Sequence, residues 1–503
     1  MPEQNTAPDQ GVVSREARLL EHDIPLCVDL DGTLIRNDLF YESLVQACKA
    51  NPWLVFVLPF WLLKGKAYLK RRIAERAPVN AATLPYQTAL IEWLSEERAN
   101  GRRLVLCTGS DLSLAQPVAG HLQLFDDVIA NQDLRNLAGA LKRDFLVERF
   151  GSHGFDYAGN AAVDLDVWGE CHHAIVVNAT ATVLRGAKDV AEVERVFPRS
   201  GRATDILRVL RIHQWLKNLL IFLPAIAGHR IADAVILLRD LQMFAAFSLC
   251  ASGAYILNDL LDLDADRQHA TKRHRPFASG SCSTAFGLAL IPALTLAGFA
   301  MAWPLGVASV WMLAAYLAGT LVYSCVLKSK PLLDVFALSA LYTLRVVAGH
   351  VATGIAYSPW MLSFCTFIFL SLAFGKRFSE LRNLECGHRS SPAPIAAAAG
   401  RGYTTTDIQQ INIFGIVSGF LAALVLTLYI DSPAVTILYK HPMYLWLLCP
   451  VVLYWISRIW FIAGRGELDE DPILFAAKDS VTYWVAGFAA MVMLLASRDW
   501  PIL

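Results

Sequence analysis

Long apolar runs fill the second half of this 503-residue chain, whereas the first half alternates short apolar stretches with charged ones. From about residue 207 the runs near 214–229, 241–257, 284–303, 305–326, 332–352, 359–375, 411–430, 443–463 and 480–497 predict nine membrane spans. Several approach the roughly 20 residues that a helix needs to cross a bilayer. Before about residue 200, the segments 24–28, 104–107 and 174–177 read as buried strands with helical stretches between them. That alternation predicts an α/β domain with a parallel sheet. The expected divisions are a polar N-terminus (1–21), an α/β domain (22–196) with a helical cap at about 37–100, a linker (197–206) and an all-α membrane bundle (207–503). Within the cap, 53–63 is strongly apolar, too short to span, and contains Pro59. It is expected to lie on the membrane surface, the other reading being a buried core helix.

Charge refines this picture. The chain carries 44 basic and 44 acidic side chains, and the zero balance argues against nucleic acid as a partner. Ten scattered cysteines without a C-x-x-C pair read as small apolar residues of a reducing compartment. The first 23 residues hold no apolar signal core, so the N-terminal half is expected in the cytoplasm. The loops after the second, fourth, sixth and eighth predicted spans hold fourteen Lys and Arg residues, against Arg230, Arg239 and Lys440 on the other side. The positive-inside rule places those richer loops in the cytoplasm as well, on an inner, multi-pass membrane protein with its C-terminus outside.

Two stretches carry candidate chemistry. Asn258-Asp259-Leu-Leu-Asp262-Leu-Asp264-Ala-Asp266-Arg267 follows directly on an apolar run. At roughly 100° per residue, Asn258, Asp259, Asp262 and Asp266 fall within an arc of about 100°, and Asp264 points to the opposite side. Carboxylates at a membrane helix end are costly unless they bind a cation or line a polar cavity. Four oxygen ligands on one face, with Lys272-Arg273-His274-Arg275-Pro276 just behind, suggest Mg²⁺ holding a diphosphate. A solvated helix end is the bland alternative and leaves the shared face unexplained. In the first half, Val28-Asp29-Leu30-Asp31-Gly32-Thr33 ends a strand, so Asp29 and Asp31 point to one side. One can attack phosphorus and the other can protonate a leaving oxygen. Thr108 ends the second strand as a phosphate donor, Lys142 is a countercharge, and Tyr157-Ala-Gly159-Asn160-Ala-Ala-Val-Asp164 follows.

That order of motifs resembles the haloacid dehalogenase (HAD) superfamily of phosphatases over about 22–190. The resemblance implies Asp29 as the nucleophile, Asp31 as general acid and base, Thr108 and Lys142 as phosphate ligands, and a Mg²⁺ site of Asp29, Asp31, Asn160 and Asp164. The family prefers an acid where Asn160 stands, so a weakened domain kept for structure or regulation is the alternative.

The run Asn-Asp-x-x-Asp-x-x-x-Asp with its basic turn resembles the UbiA-type intramembrane prenyltransferase superfamily over about 205–503. The family's aromatic prenyltransferases carry a second aspartate motif after the sixth span, where this chain has Gly375-Lys376-Arg377-Phe378-Ser379-Glu380. His213-Gln214-Trp215-Leu216-Lys217-Asn218, Leu344-Arg345-Val346-Val347-Ala348-Gly349 and the acidic stretch 464–472 are instead similar to its decaprenyl-phosphate phosphoribosyltransferase branch. The resemblance implies a Mg²⁺ site of Asn258, Asp259, Asp262 and Asp266. It implies phosphate-binding roles for Lys217, Asn218, Lys272, Arg275, Lys328, Arg345, Lys376 and Arg377. The expected substrates are phosphoribosyl diphosphate and a polyprenyl phosphate, with the phosphatase removing the product's 5-phosphate. An aromatic prenyltransferase with a prenyl diphosphate donor, and a transporter or lipid-binding scaffold, are the other readings. The sequence leaves open the isoprenoid length and the oligomeric state, a homo-oligomer included.

Overall fold

The computed structural model describes residues 24–77, 79–131, 137–199, 204–269, 271–388, 402–433, 435–468 and 472–498. The expected N-terminal tail, residues 200–203 of the linker, Arg389, Arg401 and the acidic 469–471 lie outside these residues. The chain forms two compact units, one of residues up to Val209 together with Ile256–Leu290, the other of Leu210–Tyr255 and Ile291–Leu503.

Among the described residues the first unit is built on six strands: β1 (Leu26–Val28), β2 (Leu104–Asp111), β3 (Asp127–Asn131), β4 (Asp156–Gly159), β5 (His173–Val177) and β6 (Glu192–Phe197). All pair in parallel, in the order β3-β2-β1-β4-β5-β6. The two-residue strand period divides the core. Leu26, Val28 and Leu106 pack with Leu90, Trp93 and Leu94 of the helix Thr88–Ala99 and with Leu114 and Val118 of Leu112–Leu122. Cys27, Val105 and Cys107 face Tyr157, Trp168 and Ala187 on the other side. Burial on both faces is what a parallel sheet requires. The strand order turns at β1, between β2 and β4, so the crevice at a doubly wound sheet's switch point opens beyond the carboxyl end of β1.

The expected cap contains the helices Leu39–Ala50, Leu54–Leu63 and Lys66–Ala74. Its last part, Thr88–Ala99, packs on the sheet. In Leu54–Leu63 only Leu54 and Trp61 are buried. Trp53 (75% exposed), Phe56 (69%), Phe60 (66%) and Leu63 (86%) are open, which rules out a core helix.

The second unit is helical. Among the described residues eight helices are long and apolar enough to cross a membrane, from Ala234–Leu261 to Ser480–Ser497. They match the second to ninth predicted spans. The first, 214–229, differs. It is a 3-10 helix, Ile212–Phe222, followed by the short helix Leu223–Ala227. Pro224 lacks an amide hydrogen at the start of that helix, and Lys217 and Asn218 are buried. Gly349 lets the helix Leu333–Thr353 approach closely, since a β-carbon there would collide with the Ile221 carbonyl. A second difference concerns Gly375–Arg382, expected as a loop. It continues the helix Pro359–His388.

Arg377 lies inside that helix, 1% exposed. Its guanidinium pairs with Asp334 of Leu333–Thr353 and with Glu380, and it donates to the Tyr323 hydroxyl at 2.9 Å. Tyr403 donates to the other Asp334 oxygen at 2.6 Å. Removing one partner of a buried pair leaves an uncompensated charge. Arg377→Met is therefore expected to cost about 3–5 kcal/mol, read as a lowered thermal unfolding midpoint in detergent. The double variant Arg377→Met/Asp334→Leu should recover most of that loss.

Candidate functional sites

The crevice beyond β1 is a cavity of about 610 Å³ lined by Asp29, Asp31, Asn160 and Asp164 among others. The chain turns there at Gly32, whose φ is +79°, and a β-carbon at that position would collide with the Asn160 side chain. Lys142 enters from the helix Ala140–Phe150 and donates to Asp29 Oδ1 at 2.7 Å, to Tyr157 Oη at 2.9 Å and to the Cys107 carbonyl at 3.3 Å. Tyr157 donates onward to Asp164 Oδ1 at 3.0 Å. The other Asp164 oxygen accepts the Asn160 and Ala161 amides, both at 2.9 Å. Asp31 accepts from Ser110 Oγ at 2.6 Å, Thr108 Oγ1 at 3.3 Å and the Leu39 amide at 2.8 Å.

Burial pushes the Asp29 carboxyl up to about 7, with Lys142 opposing and Asp164 and Asp31 adding to the rise. Burial, then Asp38, raises Asp31 to about 6. Burial alone would lower the Lys142 ammonium, but Asp29, Cys107 and Asp164 outweigh it and hold the lysine protonated. Lys142 thus pairs with Asp29 alone and reaches Asp164 only through Tyr157, which leaves Asp164 without a cation of its own in the buried part of the cavity. That excess of buried negative charge fits a divalent cation held by Asp29, Asp31, Asp164 and the Asn160 amide oxygen. Thr108 is fully buried behind this surface, and Gly109 lines the cavity in its place.

The aspartate-rich run forms the end of Ala234–Leu261 and the helix Leu263–Gln268, with Asp262 at the junction. The i to i+4 bonds carry through, from the Asp262 amide to Asn258 O at 3.0 Å and from the Asp266 amide to Asp262 O at 2.8 Å. Arg275 Nη1 donates to Asp259 Oδ1 at 3.1 Å and to Asp266 Oδ2 at 2.6 Å, so those two carboxylates share a face. Asp264 points elsewhere and accepts from Gln46 at 2.7 Å. Lys272 is exposed on a 3-10 turn. The two carboxylates on one face, Asp259 and Asp266, are bridged by Arg275, and Asn258 and Asp262 are half-buried.

In the second unit Arg345, 5% exposed, donates to Asn218 Oδ1 at 2.8 Å and to Tyr316 Oη at 3.1 Å. Asn218 donates to Ser248 Oγ at 3.0 Å. The Lys217 ammonium and the Arg345 guanidinium lie 5.8 Å and 5.5 Å from the Tyr342 ring centroid. Lys217, Asn218 and Arg345 therefore form one cationic cluster. Arg377 is committed to Asp334. Lys376 and Lys328 are both half-buried, Lys376 in Pro359–His388 and Lys328 in the 3-10 turn Leu327–Ser329.

Sequence reasoning missed Ser110, Tyr157, Lys70 and Arg36. Ser110 and Tyr157 sit in or beside quoted motifs and were open to notice. Lys70 and Arg36 line the cavity only through the fold. A separate group, Asp156 with His172 and His173, has metal-like spacing. Its carboxylate is already taken by Arg102 and by the His173 amide.

A proton and a divalent cation compete for these carboxylates. Asp29 is raised from 3.8 to about 7, so the folded protein takes up protons on falling through that pH and metal affinity falls with it. Mg²⁺ affinity at this unit is expected to rise from about pH 5 to about pH 8 and to level off above, read by calorimetric titration. In the metal-free protein the same shift makes stability decline as pH rises from about 4 to about 7. A Mg²⁺ affinity independent of pH would refute the donor set.

The comparisons with known proteins bear on both units. The uncharacterized protein y4nM of Sinorhizobium fredii is 36% identical over 477 residues, 94% of this chain and 91% of that protein. The decaprenyl-phosphate phosphoribosyltransferase of Mycobacterium tuberculosis is 35% identical over 192 residues, 37% of this chain and 64% of that protein. A HAD family hydrolase from Salmonella enterica matches 40% of this chain and 80% of its own at 16% identity, with a TM-score of 0.26. The family profile described as the UbiA prenyltransferase family matches residues 221–481, which hold the aspartate-rich run and the Lys376–Arg377 helix. With its apolar helices and a family match across more than half its length, the chain is a multi-pass membrane protein that belongs to the UbiA prenyltransferase family.

Proposed function

We propose that this protein is a bifunctional enzyme that moves phosphoribose from phosphoribosyl diphosphate to a polyprenyl phosphate and then removes the 5-phosphate of the product. The similarity to a decaprenyl-phosphate phosphoribosyltransferase carries the first reaction. Basic and amide groups at Lys217, Asn218 and Arg345 suit substrates that bring several phosphates. Bound Mg²⁺, held by Asn258, Asp259, Asp262 and Asp266, would supply charge neutralisation at the departing diphosphate. The lipid phosphate oxygen attacks C1 as the C1–O bond to diphosphate breaks, and no general base is needed.

The ordered pair Asp29–Lys142 beside Asp31 supports the second reaction. Asp29 forms a bond to phosphorus while Asp31 gives its proton to the leaving ribose oxygen. Water then attacks the aspartyl-phosphate, Asp31 takes back a proton, and phosphate leaves. Lys142 balances the charge on Asp29 before phosphate enters.

The orientation follows from the same reading. The 3-10 helix Ile212–Phe222 rises about 22 Å at about 2.0 Å per residue, and Leu223–Ala227 adds about 7.5 Å. Together they approach the roughly 30 Å hydrocarbon thickness, so this segment serves as the ninth crossing. The phosphatase and the basic loops then share the cytoplasmic face.

The test supplies polyprenyl phosphate, phosphoribosyl diphosphate and Mg²⁺ to the full chain in vesicles. Asp29→Asn is expected to stop at the 5-phosphorylated lipid, a loss of at least about 10²-fold in the final step. Asp262→Asn is expected to reduce lipid phosphoribosylation by about 10²-fold. Unchanged lipid products in either variant would defeat the corresponding assignment. Diphosphate release with a prenyl diphosphate donor alone would replace the first reaction.

A further inference from the structure

The stretch Ile256–Leu290 belongs to the same compact unit as the α/β sheet, and its contacts are specific. Arg267 clamps Glu42 of Leu39–Ala50 through both guanidinium arms, at 2.6 and 3.0 Å, with the two side chains 6% and 5% exposed. The same guanidinium donates through Nε to the Ala278 carbonyl at 3.2 Å. Glu42 also accepts from Asn37 at 2.8 Å, and Asn37 lines the phosphatase cavity. Gln46 holds Asp264, and Arg36 donates to the Ser279 carbonyl at 3.4 Å. Gly280 adopts φ +73°, where a β-carbon would come within 2.7 Å of Arg36 Cβ and 3.1 Å of Pro85 Cβ. The loop beyond it supplies Gly280, Ser281 and Ser283 to the cavity wall. The next residue, Thr284, begins a membrane-spanning helix.

We propose that the loop 275–283 is the specificity wall of the phosphatase pocket and admits a phosphomonoester carried on a membrane lipid. Arg267 and Glu42 are its positioning residues. The inference rests on the phosphatase reading given above. A wall one residue from a membrane helix puts the pocket rim at the bilayer face. Arg36, Lys70 and Arg199 also line the cavity, beyond the Lys142 that Asp29 uses. Those added cations suit a substrate whose leaving group bears a second phosphate, as a lipid-linked phosphodiester does. The buried clamp fixes the loop because breaking it strands a charge in a dry place. Asp264, on the side of the run away from Asp259 and Asp266, serves this docking and not the metal.

The experiment compares two substrates on the full chain in vesicles: the 5-phosphorylated ribosyl lipid and soluble para-nitrophenyl phosphate. Glu42→Gln and Arg267→Gln are expected to lower kcat/KM for the lipid about tenfold, mostly through KM, while the soluble substrate changes by less than about twofold. The reversed pair Glu42→Arg/Arg267→Glu should restore part of the lipid activity. Gly280→Val should reproduce the loss on the lipid by forcing the loop off Arg36 and Pro85. Equal losses on both substrates, or no loss on either, would overturn the proposal. Hydrogen exchange supplies a readout that does not depend on activity. Amides in 275–283 should exchange faster in Glu42→Gln, and unchanged exchange refutes the clamp. If the parent hydrolyses neither substrate, the phosphatase reading fails, while the exchange measurement still decides whether the wall is held.

Discussion

A carboxylate taken out of water is costly unless a cation meets it, and three such meetings hold this chain together. Asp29 takes Lys142, Glu42 takes Arg267, and Asp334 takes Arg377. Each pair joins segments distant in sequence, so each also fixes tertiary geometry. The pairs differ in surplus. Around Arg377 the buried charges have partners on every side, and the result is a rigid joint between two membrane helices. Around Lys142 the buried carboxylates Asp29 and Asp164 outnumber the one buried ammonium, and the other cations of the cavity, Lys70, Arg36 and Arg199, stand apart from them. That imbalance separates a site from a strut: the chemistry sits where the protein leaves charge to be completed by something that arrives.

The same distinction applies to the membrane half. Arg345 is buried but bonded to neutral groups, the Asn218 amide oxygen and the Tyr316 hydroxyl. Its charge is solvated without being cancelled. Arg377, one residue beyond Lys376, is cancelled by Asp334 and Glu380. Two arginines in adjacent spans therefore have opposite capacities for an anionic substrate, although a sequence motif treats both as basic residues.

What the sequence revealed followed the range of the forces involved. The membrane helices were legible because hydropathy is a local sum, and the face shared by Asp259 and Asp266 was legible because helical period is local. Asp29 and Asp31 were legible because a strand alternates. β4 was hidden by Asp156 and Gly159, which are poor strand formers, and β6 was hidden by its exposed charges Glu192, Glu194 and Arg195 at the sheet edge. The 3-10 form of the 212–227 segment was not legible, because Pro224 and the buried polar Lys217 and Asn218 interrupt an otherwise apolar run. Arg267 looked like one more cytoplasmic anchor, since its partner Glu42 stands 225 positions away and no local pattern connects them.

Because one compact unit is assembled from two separated stretches, synthesis order acquires a role in its maturation. All six strands leave the ribosome before residue 256 exists, so the sheet can close early. Glu42, however, waits for a guanidinium that arrives only after the helix Ala234–Leu261 has been made. The pocket receives its last wall when that helix has been inserted and the chain turns toward the next one. Membrane insertion thus precedes completion of the α/β unit: its cavity lacks a wall until the membrane has accepted the neighbouring helix.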